Sequence, residues 1–330
     1  MDDPLLILDQ IVGCLDKWAL SVADISLASQ TENIVYRLTT KQSEKYALRV
    51  HRPGYHTFAE LVSEHEWTNA LIDTGFPLPN AIPTIDGELY VPVNVDGGVR
   101  FVGLVEWLDG NSLQALTEEN ENLELLYASL EQAGELMAKL HNHSRQWQPS
   151  ESFSRHKFDI DGFFGGAPFW GRYWDSSFVD EAQQQLLLKS QKQLIQTLGR
   201  LGNTPEVFGM IHADLHHGNL FLSTDKQSKN RMYLIDFDDA GFGWYLYDIA
   251  VALYEYQGRE DFSQLSAALL QGYERVKLLA DDHRALIPMF LHIRSLALIG
   301  WITARPELGY AESLKTLVDH SCEQATHFLP

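Results

Sequence analysis

The 330-residue chain has only two cysteines, Cys14 and Cys322, one near each end. Thiols so few and so far apart give no disulfide framework and suit a reducing compartment. Basic side chains are also scarce. With 25 Lys and Arg against 45 Asp and Glu, the formal charge is −20, which disfavours nucleic acid or an anionic membrane as partner and favours a cationic ligand. The opening Met1-Asp2-Asp3-Pro4 is acidic where an export signal is basic, so a cytoplasmic protein is expected. The most apolar run, 287–304, contains His292 and Arg294 and reads as a buried helix, too short and too polar to cross a bilayer comfortably. No repeat or low-complexity segment is present. A hydrophobic content of 45% with 11% aromatics describes a globular chain, compatible with a monomer or a homodimer.

Periodicity then divides the chain. Residues 4–20 repeat apolar side chains at helical spacing, and strand-like runs follow at 25–29, 34–39 and 46–50. A helix is expected over 57–74, ended by Gly75-Phe76-Pro77-Leu78-Pro79. Three further strand-like runs, 81–85, 89–93 and 100–106, are separated by Asp-Gly turns. Beyond them the pattern is mainly helical: 123–143, about 179–199, 244–256, 262–279, 283–303 and 311–328. His141 and His143 close the first of these on different faces, which suits packing better than metal binding. The fold class is α+β, with strands gathered in the first third.

Between the helices, residues 208–250 break the pattern. Short apolar runs at 209–211, 219–222 and 232–235 flank polar loops, so Asp214, Asn219, Asp236 and the following Asp238 and Asp239 fall at strand ends and in loops. The segment His212-Ala213-Asp214-Leu215-His216-His217-Gly218-Asn219 has the form H-x-D-L-x-x-x-N, and Ile235-Asp236-Phe237 follows it. Phosphoryl transfer to a hydroxyl needs one carboxylate to orient the nucleophile and take its proton. It also needs an amide and a second carboxylate to hold magnesium on the nucleotide phosphates. Asp214, Asn219 and Asp236 supply that set.

These motifs resemble those of the aminoglycoside phosphotransferase/choline kinase family, the small-molecule branch of the protein-kinase-like fold, with Leu246-Tyr247-Asp248-Ile249-Ala250 similar to a further family element. The resemblance implies a bilobal protein: a small antiparallel-sheet N-lobe over 1–106 and a mostly helical C-lobe over 107–330. It implies ATP and Mg2+ as cofactors, Asp214 as the catalytic carboxylate, and Asn219 and Asp236 as metal ligands. His212 and Asp248 would support the loop. On the nucleotide side it implies Arg49 as the phosphate-gripping residue in place of the usual lysine, with Glu64 (or Glu66) paired to it. Ser29, Thr31 and Asn33 would stand in a phosphate loop that lacks the usual glycines, and the backbone near Glu106 to Leu108 would meet adenine.

The acceptor is expected to be a hydroxyl of a small, aminated metabolite or an antibiotic. Residues 147–177 carry nine aromatics, and Trp170, Tyr173, Trp174 and Asp175 are candidates for holding it through cation–π and face contacts. Three other readings compete: a bacterial stress-response-type protein serine/threonine kinase on the same fold, a catalytically silent nucleotide-binding scaffold, and a metallohydrolase built on His212, Asp214, His216 and His217.

Overall fold

The computed structural model describes residues 3–30, 33–119, 122–224 and 231–329. Thr31, of the expected phosphate loop, lies outside the described residues. The chain forms two compact units, 1–111 with 149–154 and 222–235, and 112–148 with 155–221 and 236–330.

The first unit is built on helix α1 (Pro4–Ile11) and the strands β1 (Val22–Gln30), β2 (Ile34–Thr40) and β3 (Lys45–Val50), followed by helix α2 (Phe58–Asp73) and strands β4 (Tyr90–Val95) and β5 (Gly98–Glu106). The five strands make one antiparallel sheet in the order β1-β2-β3-β5-β4. Alternation sets its core: Ile34, Tyr36 and Leu38 of β2 and Leu48 and Val50 of β3 point to one face, where Ile7, Ile11, Leu15 and Trp18 cover them. The helix expected over 4–20 ends at Ile11 and tightens to a 3-10 turn over Val12–Trp18, stopped by Ala19 at φ 51°. The strand expected over 81–85 is only an isolated bridge from Ala81 to Val105, because Pro83 has no N–H to continue a ladder. Helix α2 starts where Thr57 and Glu60 cap each other reciprocally, Thr57 N donating to Glu60 Oε2 at 2.8 Å.

The lobe boundary expected at 106 falls short of this unit's end. Residues 149–154 belong to it because Ser150 N donates to Glu66 Oε1 at 2.8 Å and Ser154 N to Ser63 Oγ at 2.8 Å, both on α2.

After β6 (Gly110–Ser112) come α3 (Leu113–Glu119), α4 (Leu123–Gln146), β7 (Lys157–Phe158), α5 (Ile160–Phe164), α6 (Glu181–Leu201) and β8 (Phe208–Ile211). The chain continues through β9 (Leu220–Ser223), β10 (Met232–Leu234), β11 (Gly241–Trp244), α7 (Tyr245–Tyr254), α8 (Phe262–Glu274), α9 (Asp281–Arg284), α10 (Ile287–Thr303) and α11 (Ala311–Thr326). In the second unit, α4 packs on α8, and α10 on α7 and α11. Among the described residues one helical stretch, 281–303, is long and apolar enough to cross a membrane, but most of its apolar window is buried in the fold. A three-stranded sheet, β7-β11-β8, positions the loops that follow β8 and precede β11. Here β11 runs antiparallel to β8, with Gly241 opposite Ile211, and parallel to β7, with Gly243 opposite Phe158.

Candidate active site

The loop after β8 leaves the sheet at Ala213, whose φ of 66° is rare for a residue with a side chain. Asp248, fully buried in the first turn of α7, holds it there. Its carboxylate accepts from His212 N at 3.0 Å and from Ala213 N at 2.7 Å. A third contact, 3.0 Å from Asp248 Oδ2 to His141 Nε2, completes the anchor. His141 is wholly buried in α4, and burial pushes its pKa down, so the ring is neutral. The Asp248 carboxylate can only accept, so the ring proton sits on Nε2. That leaves Nδ1 to accept from the Tyr273 hydroxyl at 2.9 Å. His141 is therefore a packing residue, as its spacing implied.

His212 is buried with its ring 4.5 Å from that of Phe237, and its Nδ1 accepts from Asp214 N at 3.3 Å. Among the described residues it joins no potential metal-binding group with His216 and His217.

Asp214 projects from this loop, 26% exposed at its side chain. Arg294 Nη2 donates to Oδ1 at 2.6 Å. The other oxygen, Oδ2, has only long contacts, 3.5 Å each to His216 Nε2 and Asn219 Nδ2. Burial alone would raise the pKa of Asp214, but Arg294 and then His216 outweigh it and hold the carboxyl well below its usual range. His216 moves the other way: burial opposes its charge, yet the Asp214 carboxylate raises its pKa. Asn219 is buried and donates Nδ2 to Asp214 O at 2.8 Å. That bond fixes the amide so that Oδ1 remains as an oxygen donor.

Asp236 follows β10 at φ 63°, exposed to solvent. The turn after it is braced by the aromatic segment. Arg155 donates Nε to Ala240 O at 2.6 Å and Nη2 to Asp238 O, and His156 Nε2 lies 3.0 Å from Asp239 O. A Cβ on Gly241 would meet the His156 ring at 2.8 Å, so only glycine lets the two segments lie this close. Two non-glycine residues with positive φ, Ala213 and Asp236, thus frame the site, each worth roughly 1–3 kcal/mol of local strain that surrounding bonds must offset.

Of the four aromatic-stretch candidates, Trp170 and Tyr173 are buried. Trp170 is 4% exposed and packs on Phe158 with centroids 4.6 Å apart. Its face carries the Arg294 guanidinium at 5.6 Å, so it is not open to a solvent-borne cation. Tyr173 is buried, with its hydroxyl donating to Gln191 Oε1 at 2.6 Å. Trp174 is half-buried against Tyr173, and Asp175 is exposed and paired with Arg172 at 3.3 Å. Sequence reasoning missed Arg155 and Arg294. The signal for Arg294 was present, as the only Lys, Arg, Asp or Glu within 287–304.

In the first unit, Arg49 Nη1 lies 3.5 Å from Glu64 Oε1, the pairing the resemblance implied. Strand alternation puts Arg49 on the sheet face opposite Leu48 and Val50, and Glu64 of α2 is 5% exposed. Asn33 is buried and spends its Oδ1 on Arg52 N at 3.1 Å, holding the strand end, while Ser29 is exposed beyond a bulge in β1. Glu106 N donates to Asn80 O at 2.9 Å, and its carboxylate accepts from Asn80 N and Nδ2. Leu108, two residues on, is half-buried.

Comparison with known proteins identifies the family. Residues 25–286 match the model of the phosphotransferase enzyme family. The amicoumacin kinase of Bacillus subtilis (strain 168) is 23% identical over 295 residues, covering 86% of this chain and 81% of its own. A microcompartment-associated aminopropanol kinase of known structure superposes with a TM-score of 0.83 at 27% identity, over 98% of this chain and 97% of the other. An amicoumacin kinase solved with AMP-PNP and Ca2+ superposes at 0.78 with 19% identity, over 100% and 96% of the two chains, and shares the fold. The chain belongs to the phosphotransferase enzyme family and has the bilobal α+β protein-kinase-like fold. It is a phosphotransferase of the kinase type, which removes the metallohydrolase reading.

Proposed function

We propose that the protein transfers the γ-phosphoryl group of ATP to a hydroxyl of a small, aminated acceptor. The carrying observation is the state of Asp214: a partly exposed carboxylate, fixed through Oδ1 and by its loop, with Oδ2 lacking any short bond. An acceptor hydroxyl can donate to Oδ2. Its oxygen then forms a bond to the γ-phosphorus while the bond from that phosphorus to the bridging oxygen breaks. The electron pair leaves on ADP, and the hydroxyl proton passes to Asp214 late in the step.

Asn219 Oδ1 and the Asp236 carboxylate are hard oxygen donors of the kind Mg2+ prefers, and would hold it. When bound, Mg2+ supplies positive charge to the phosphate oxygens. Arg49, steadied by Glu64, would neutralise the phosphates on the nucleotide side. Leu108 would offer backbone to adenine, since the Glu106 amide already donates to Asn80 O. An aminated acceptor is supported by the net charge of −20 and by relatives whose names specify amicoumacin and aminopropanol.

The test is a screen of ATP consumption against hydroxylated amines with Asp214→Asn as the blank. Asp214→Asn is expected to keep nucleotide binding and lose turnover by about 10^2- to 10^4-fold; unchanged turnover would remove Asp214 from the chemistry.

A further inference from the structure

Arg294 has no part in either sequence motif, yet it makes the shortest contact to Asp214. It sits in the middle of α10, 7% exposed, with Trp170 beneath its guanidinium. A cation so buried is costly unless it is paired, and the side-chain partner its bonds define is Asp214. Its Nε is buried without a hydrogen-bond partner, so the side chain is positioned for one carboxylate oxygen at the expense of its own satisfaction. Long, flexible surface pairs do not behave this way. The arrangement resembles a fixed support, with the aromatic ring as floor and α10 as mount.

The groups facing Asp214 are Arg294 from α10, Tyr247 from α7, and His216 and Asn219 from its own loop. Asp239 faces Tyr247 in turn, and Glu255 faces His216. Arg294 is the one fixed cation among the groups that touch Asp214, since His216 can lose its proton.

We propose that Arg294 is a positioning residue for the transfer: it pins Oδ1 of Asp214 so that Oδ2 alone is presented to the acceptor hydroxyl. This rests on the phosphotransfer reading given above. It assigns the aromatic segment a role at one remove from the acceptor: Trp170 supports Arg294, and Arg294 supports Asp214. Charge and direction are separable here. Lysine at 294 retains the charge and loses the planar fork, whereas methionine retains much of the stem and loses both.

The experiment compares Arg294→Met and Arg294→Lys with the unaltered enzyme, using ATP, Mg2+ and an acceptor found by the screen. Far-ultraviolet circular dichroism and thermal unfolding establish that each variant is folded. Arg294→Met is expected to lower kcat by about tenfold or more with KM for ATP unchanged. Arg294→Lys should recover part of kcat, because it returns the charge without the planar fork. A folded Arg294→Met with normal kcat would overturn the proposal. So would a loss in Arg294→Met that falls on KM for ATP as much as on kcat and that lysine does not relieve, which marks a purely structural side chain. If Asp214→Asn itself turns over normally, the phosphotransfer reading fails and Arg294 falls with it. If Asp214→Asn is inactive and Arg294→Met normal, only the role of Arg294 is lost.

Discussion

Asp248 illustrates how one side chain can fix a loop. It is fully buried and collects two backbone N–H groups and the His141 ring, and through them it keeps Ala213 in the left-handed region. An asparagine of the same shape has one oxygen to accept with, and turns an NH2 toward a donor. Hydrogen bonds to a charged group contribute about 1.5–3 kcal/mol each. Asp248→Asn is therefore expected to lower stability by about 2–3 kcal/mol in urea titration, with an unchanged slope. A midpoint equal to that of the unaltered protein would mean that the loop holds itself. Asp248 was legible in the sequence because the resemblance marked it. Its partner His141 was legible only as a packing residue, since 107 positions separate the two.

Among the elements, α4 and α8 approach until backbone meets backbone. A Cβ on Gly134 would lie 2.0 Å from Leu269 O and 2.8 Å from Tyr273 N, and one on Gly272 would lie 1.8 Å from Glu131 O. Helix propensity alone says that Gly→Ala stabilises a helix interior by about 1 kcal/mol. Overpacking a rigid contact costs about 1–3 kcal/mol or more, and backbone atoms cannot rotate away as a side chain can. The clash should win. Gly134→Ala is expected to destabilise by about 2 kcal/mol, and a variant as stable as its parent in urea would show that the helices can part without cost. The same approach brings Tyr273 to His141, so the crossing of two helices reaches Asp248, and through it the Ala213 loop, by one ring. At this scale the sequence was a good guide to helices over 57–74 and 123–143. It failed at 81–85, where apolar residues suggested a strand and Pro83 forbade a ladder, and it overran at 4–20, where the last turns tighten.

For the molecule as a whole, acid stability is set by which histidines the fold keeps neutral. Burial lowers the pKa of His65 and His141, and that of His217 and His292 to about 4. His216 alone among the shifted histidines is raised, by Asp214. A histidine whose folded pKa is depressed contributes its full stability above its unfolded pKa, near 6.5. It loses that contribution as pH falls toward the folded value, because the unfolded chain then binds more protons. His216 has the opposite sign: its contribution is present below 6.5 and is lost as pH rises through its folded pKa. Four against one, the melting temperature is expected to fall between about pH 6.5 and 4. His292→Gln should flatten part of that slope, because His292 is wholly buried against Ser190 and Phe328. Asp214, held ionised by Arg294, adds its own loss only at lower pH. A melting temperature that is level from pH 7 to 4 would contradict this account.

By itself the sequence determined the chemistry on offer and the order in which it is laid down. The H-x-D-L-x-x-x-N and I-D-F segments, the strand arginine and the helix glutamate are local patterns, set by strand alternation and by turns a few residues long. Tertiary structure alone decided which groups touch Asp214. Arg294 lies 80 positions away on an apolar helix, and the aromatic stretch looked like a ligand cage because its composition carries no record of direction. Only packing, which is a property of contacts between distant segments, turned Trp170 inward under Arg294 and set Arg294 on one oxygen of Asp214.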